Sequence, residues 1–130
     1  MKKISLLVLF LILLCTGCQK HKDITNEINV SLINPQEIEY INERGWFNDG
    51  YTYIVYSCDD ITFLDDSWKT LPIDFDLGFL SSEPLQISQI KYGYYYFEDR
   101  SPKECEALMN YTLAIYDTDT KQVHYFKSDS

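Results

Sequence analysis

Histidine is scarce in this chain. There are two in 130 residues, and only His124 falls in what reads as the folded part. A zinc site or a nucleophile–histidine pair needs partners at a telling spacing, and this ring has none. The five glycines are scattered. They form neither a phosphate loop nor a Gly-x-Ser-x-Gly elbow. Arginine is scarce too: Arg44 and Arg100 stand beside nine lysines, and these 11 basic residues face 20 acidic ones. A net charge of −9 repels nucleic acid and anionic headgroups, so no nucleic-acid partner is expected. No apolar run is long enough to span a bilayer. The longest, residues 4–14, is broken only by Ser5. Spanning needs about 20 residues, whereas the apolar part of a signal peptide runs about 7–15. There is no internal repeat and no sign of a second domain.

What is present begins with that short run. Lys2 and Lys3 precede it and Leu13-Leu14-Cys15-Thr16-Gly17-Cys18 closes it. Small residues just before a cysteine resemble the lipobox of bacterial lipoproteins, with Cys15 where leucine is usual. The resemblance implies that residues 1–17 are a signal peptide and that Cys18 is lipidated and becomes the N-terminus. Two or three acyl chains anchor a protein stably where one does not. The expected location is the extracytoplasmic side of the cell membrane. Gln19, in place of aspartate, implies the outer membrane if the cell has two. Lys2 and Lys3 leave with the signal, so nine of the 11 basic residues remain against 20 acidic, a net charge of −11.

Residues 18–29 read as the lipidated cysteine and a polar tether that includes His21. The domain is then 30–130, and 11 tyrosines and 7 phenylalanines give it ample area for a core. Asn34-Pro35-Gln36-Glu37 carries helix-start signals, with Gly45 as a stop. Asn48-Asp49-Gly50 instead makes residues 38–46 the first arm of a hairpin. The strand is the favoured reading. Residues 51–58 are a β-branched and aromatic strand. Ile61, Leu64, Trp68 and Leu71 are spaced as one helical stripe between Asp59 or Asp60 and Pro72. Residues 73–90, with Gly78, Ser81, Ser82 and Pro84, read as a long loop. Residues 92–97 are a strand, and 101–108 a helical turn. Residues 110–116 and 122–127 are a hairpin around Asp117-Thr118-Asp119-Thr120, burying Leu113, Ile115, Val123 and Tyr125. The expected fold class is α+β: four or five mostly antiparallel strands with one main helix on one face.

Trp68-Lys69-Thr70-Leu71-Pro72, Gly93-Tyr94-Tyr95-Tyr96-Phe97-Glu98-Asp99-Arg100 and Thr112-Leu113-Ala114-Ile115-Tyr116-Asp117-Thr118-Asp119-Thr120 resemble segments of a set of small uncharacterised bacterial lipoproteins. The resemblance brings no known activity. Those proteins carry histidines in a turn that is Gly45-Trp46-Phe47-Asn48-Asp49-Gly50 here. This chain keeps the turn without the histidines.

Candidate sites are few. Cys58 and Cys105 either form a disulfide or remain free thiols. An exported site permits the bridge, which would close a loop of about 48 residues and add roughly 3–4 kcal/mol. Asp74-x-Asp76 and Asp117-x-Asp119 have calcium-loop spacing but lack its glycine and closing glutamate, so no metal or cofactor is expected. Tyr92, Tyr94 and Tyr96 share one strand face, as do Tyr51 and Tyr53. With Trp46 they form a candidate surface for a protein or a glycan, unless the rings simply fill half-buried strands. The function expected is a non-enzymatic, lipid-anchored domain that binds another envelope protein. A carbohydrate or cell-wall polymer module is the alternative, followed by a small hydrolase.

Overall fold

The computed structural model describes residues 24–47, 49–76 and 89–130. Residues 1–17, expected as a signal peptide, Cys18, His21 and the rest of 19–23 lie outside the described residues. So do Asn48 and the loop positions 77–88.

The α+β expectation is overturned. Of the described residues 52% are strand and 5% helix, with no helix of 7 or more residues among them. A six-stranded antiparallel sheet forms the body. Its strands are β2 (Gln36–Arg44), β3 (Gly50–Ser57), β5 (Lys69–Thr70), β6 (Gly93–Asp99), β7 (Tyr111–Asp117) and β8 (Gln122–Asp129), in the order β2-β3-β8-β7-β6-β5. A second, two-stranded sheet pairs β1 (Val30–Ile33) with β4 (Asp60–Phe63).

Period-two alternation sends each strand's side chains to both faces, and both faces are covered. On one face Ile54, Tyr56, Tyr96, Ala114, Tyr116, Val123 and Tyr125 pack with Ile28, Val30, Trp68 and the inward side of the small sheet. On the other, Tyr53, Val55, Tyr95, Tyr111, Leu113, Ile115 and Phe126 pack under Leu71, Ile73, Phe75, Ile90 and Leu108. Strand β7 is central and buried on both sides, which is why residues 111–116 are apolar or aromatic at every position except Thr112. The hairpin of β7 and β8, the strands β3 and β6, and the burial of Leu113, Ile115, Val123 and Tyr125 agree with the sequence reading. So does the strand, in place of a helix, over residues 36–44. Asn34 adopts a left-handed backbone, with φ 50°. Its amide donates to the Asp59 carboxylate at 2.7 Å, so the helix-start signal is spent on a turn between β1 and β2.

The expected main helix does not form. Residues 60–63 alternate exposed and half-buried as β4. Asp65 Oδ1 then accepts from the Ser67 backbone N–H at 3.0 Å and from the Ser67 hydroxyl. This local turn competes with helix and turns the chain into β5. The supposed stripe is divided. Ile61 and Trp68 pack on one sheet face, Leu71 packs on the other, and Leu64 is 61% exposed. Residues 101–108 likewise form no helix; Cys105 N–H bonds to Pro102 O within a simple turn.

Of the segment expected as a tether over 18–29, residues 24–29 belong to the fold. A single helical turn spans 24–27, and Ile24 and Ile28 are buried. Trp68 Nε1 donates to Ile28 O at 2.6 Å, tying this entry segment to the chain beyond β4.

Candidate functional site

The β2–β3 hairpin ends in the most exposed aromatic residues among those described. Gly45 N–H donates to Asp49 O at 2.7 Å and closes the tip. Gly50, at φ 135°, then starts β3 where an added Cβ would collide with the Glu43 carbonyl oxygen. Trp46 is 102% exposed and Phe47 90%. Below the tip, Asp129 takes Arg44 Nη1 at 2.9 Å and Arg100 Nη1 at 2.7 Å. Arg44 Nε also donates to Thr52 Oγ1 at 3.1 Å, and Arg100 Nη2 to Tyr111 O at 3.1 Å. Burial favours the neutral Asp129 carboxyl, but hydrogen bonds from Arg100 and Arg44 prevail and hold its pKa below the ordinary aspartate value. The tip therefore stands on a clamp of two cations and one anion.

A second exposed patch lies at the opposite end of the sheet. Tyr92 is 64% exposed and Tyr94 37%. Tyr94 stacks at a tilt on Phe63, centroids 5.0 Å apart, and exposed Leu64 follows Phe63. Tyr92 O accepts from Thr118 N–H, which puts the patch beside the β7–β8 turn. Asp117 Oδ1 shapes that turn by accepting from Asp119 N–H at 2.9 Å. One carboxylate stands beside the patch: Asp117 registers with Gly93, the residue between Tyr92 and Tyr94.

The remaining candidate tyrosines are not a surface. Tyr53 and Tyr96 are buried. Tyr51 is half-buried and stacks on Phe126 at 5.3 Å. Tyr53 shares a hydrogen bond with His124 Nδ1 at 3.0 Å, and burial, then Glu39, pushes its phenol up to about 12. Tyr96 donates to Glu98 Oε2 at 3.1 Å and is likewise pushed up to about 12, by burial first and then by Glu98. His124 is held low by burial, against the opposing pull of Asp117 and Glu39. It is thus a neutral ring paired within the sheet. The six candidate positions split into a tip (Trp46), a far patch (Tyr92, Tyr94) and core filling (Tyr51, Tyr53, Tyr96).

Glu27 is a contact that the sequence reading missed. Its carboxylate accepts from Tyr125 OH at 2.8 Å and Thr112 Oγ1 at 3.1 Å and pairs with Lys127 Nζ at 3.1 Å. Burial, with Glu27 next, raises the Tyr125 phenol. Three side chains from β7 and β8 therefore hold the entry turn to the sheet. Phe47 and Leu64 were also missed; only adjacency to a tryptophan marked the first.

Cys58 and Cys105 are free thiols. Cys58 is buried past the end of β3, with Sγ 3.7 Å from Lys121 O. Cys105 is exposed in the β6–β7 connection, at the tip end of the sheet. The length of a strand, on the order of 20 Å, lies between them, far beyond disulfide reach. A native maleimide assay should label Cys105 within minutes and Cys58 only after denaturation. Two unreactive thiols, with both released by reductant, would show a bridge and contradict this geometry.

No group of three or more His, Cys, Asp or Glu among the described residues could hold a metal ion. Asp74 accepts from Tyr95 OH at 2.9 Å. No helix among the described residues is long and apolar enough to cross a membrane. Comparison with known proteins adds no relative: no family model, curated protein or solved structure matches the chain.

Proposed function

We propose that this chain is a lipid-anchored, extracytoplasmic, non-enzymatic domain of the bacterial cell envelope that binds another envelope protein. The observation that carries the interaction role is the exposed pair Tyr92 and Tyr94. Exposed aromatic rings at one end of a sheet, beside the Asp117 carboxylate, suit a partner surface that is apolar at its centre and basic at its rim. The anchor reading rests on the resemblance of Thr16-Gly17-Cys18 to a lipobox. In a cell with two membranes the outer one is the proposed site.

The test is a cross-linking pull-down of the tagged, full-length protein from its native membrane. Cys18→Ala serves as the anchor control and Tyr92→Ala as the patch control. Tyr92 is exposed, so the fold should survive its replacement. The expected result is one protein recovered with the native chain, reduced with Cys18→Ala, and lost with the patch variant. Equal recovery with native and patch chains would sink the assignment. A carbohydrate role draws support from fully exposed Trp46, since an indole face stacks on sugar rings. Saturable quenching of Trp46 by a wall polymer, with no protein recovered, would favour it.

A further inference from the structure

The hairpin tip and the entry of the chain into the fold lie toward the same end of the sheet. Glu27, in the entry turn, is held by Thr112, Tyr125 and Lys127. Lys127 registers with Thr52, two residues along β3 from Gly50, where the tip begins. At strand rise that is about 7 Å. From the entry turn, β1 runs the other way, toward Asp59, whose N–H donates to Ile33 O. Five residues, 19–23, separate Cys18 from Ile24. Fully extended, they allow about 20 Å between those two Cα atoms.

The apex has the chemistry of a membrane interface. Trp46 and Phe47 are almost wholly exposed, and Gly45-Trp46-Phe47-Asn48 carries no charge. Indole rings favour the headgroup level of a bilayer, where one edge is apolar and the other wet. The acidic remainder of the domain, including Asp49 where the tip closes, is repelled by an anionic leaflet, so contact is confined to the uncharged apex at Trp46 and Phe47. The clamp of Arg44, Asp129 and Arg100 holds the base of that tip.

We infer that the Trp46–Phe47 tip rests in the interfacial layer of the bilayer that holds the lipid anchor, as a second membrane contact that orients the domain. This rests on the reading of Cys18 as lipidated. The tip then faces the membrane, and the Tyr92–Tyr94 patch faces away from it, toward a partner.

The experiment uses the mature protein purified from its own envelope and reconstituted in phosphatidylcholine vesicles, with and without acyl chains brominated near the carboxyl end. Intact mass reports the lipid on Cys18, and tryptophan emission reports the tip. The expected result is a blue shift and loss of most Trp46 emission in brominated vesicles. A Trp46→Phe variant, retaining only buried Trp68, should show little quenching. An acylated chain with unshifted, unquenched Trp46 would overturn the orientation and leave the anchor standing. If that Trp46 were shielded only in native membranes, the tip would belong to a protein pocket and the inference would fall. A chain without the lipid mass overturns the anchor, and this inference with it.

Discussion

Replacing Trp68 with alanine is expected to cost about 3–5 kcal/mol, the range for removing a buried aromatic ring. Trp68 is 8% exposed, tilts against Phe63 at 5.1 Å and lies 6.0 Å from Tyr96. Its indole N–H is the partner of the Ile28 carbonyl at 2.6 Å. The alanine variant loses the ring contacts and leaves that carbonyl without its donor. The loss falls between the small sheet, the entry turn and the main sheet, so residues 24–33 should loosen first. Urea unfolding measures the total, and hydrogen exchange locates it. Trp68→Phe keeps a ring but not the donor, and about 1–3 kcal/mol is expected for it. If the alanine variant unfolded at the native urea midpoint, the indole would have no structural place here.

The second large effect is expected at Asp129. Asp129→Ala removes the one carboxylate shared by Arg44 and Arg100 and leaves two partly buried guanidinium groups without it. Breaking a fully buried pair costs about 3–5 kcal/mol; these side chains are 16–28% exposed, so about 2–3 kcal/mol is expected. Arg100 keeps its bonds to Tyr111 O and Ser128 O, which limits the loss on that side. The sign of the pH dependence follows from the lowered pKa. The stabilisation is fully present above the unfolded aspartate pKa. It is lost as pH falls through the lower, folded value. Asp129→Asn should therefore be clearly less stable than the native chain at neutral pH, and the gap should shrink as pH falls below the ordinary aspartate value and through the lowered, folded one. A gap that stayed constant from neutral to strongly acid pH would contradict a charged clamp. Trypsin cleavage after Arg44 should also accelerate, since the clamp holds the base of the tip.

The strand core was legible because its signal is local. In Tyr51-Thr52-Tyr53-Ile54-Val55-Tyr56 the β-branched and aromatic residues favour strand wherever they are placed. Asp117 shapes the β7–β8 turn with its own side chain, so that hairpin could also be read from a few residues. The helix expected through residues 61–71 failed because helical spacing in so short a stretch is also met by a strand, a turn and a second strand. Asp65 and Ser67 selected that second course. The tyrosine surface was reduced to Tyr92 and Tyr94 for a different reason. Alternation says which rings share a face but not what covers it, and here both faces are covered over Tyr53 and Tyr96.

By itself the sequence determined the acidic balance, the poverty in metal- and phosphate-binding motifs, the lipobox resemblance and the positions of the central strands. Each depends on residues close together in the chain or on totals over it. Only the tertiary structure decided that Ile24, Glu27 and Ile28 belong to the domain. The same holds for the separation of Cys58 from Cys105 and for the sorting of the aromatic rings. Trp46 and Phe47 were left outside and Tyr53 and Tyr96 inside. The physical reason is common to all three. Burial, pairing and distance are set by residues tens of positions apart. Glu27 reaches Tyr125, and Trp68 reaches Ile28, only once the sheet has assembled between them.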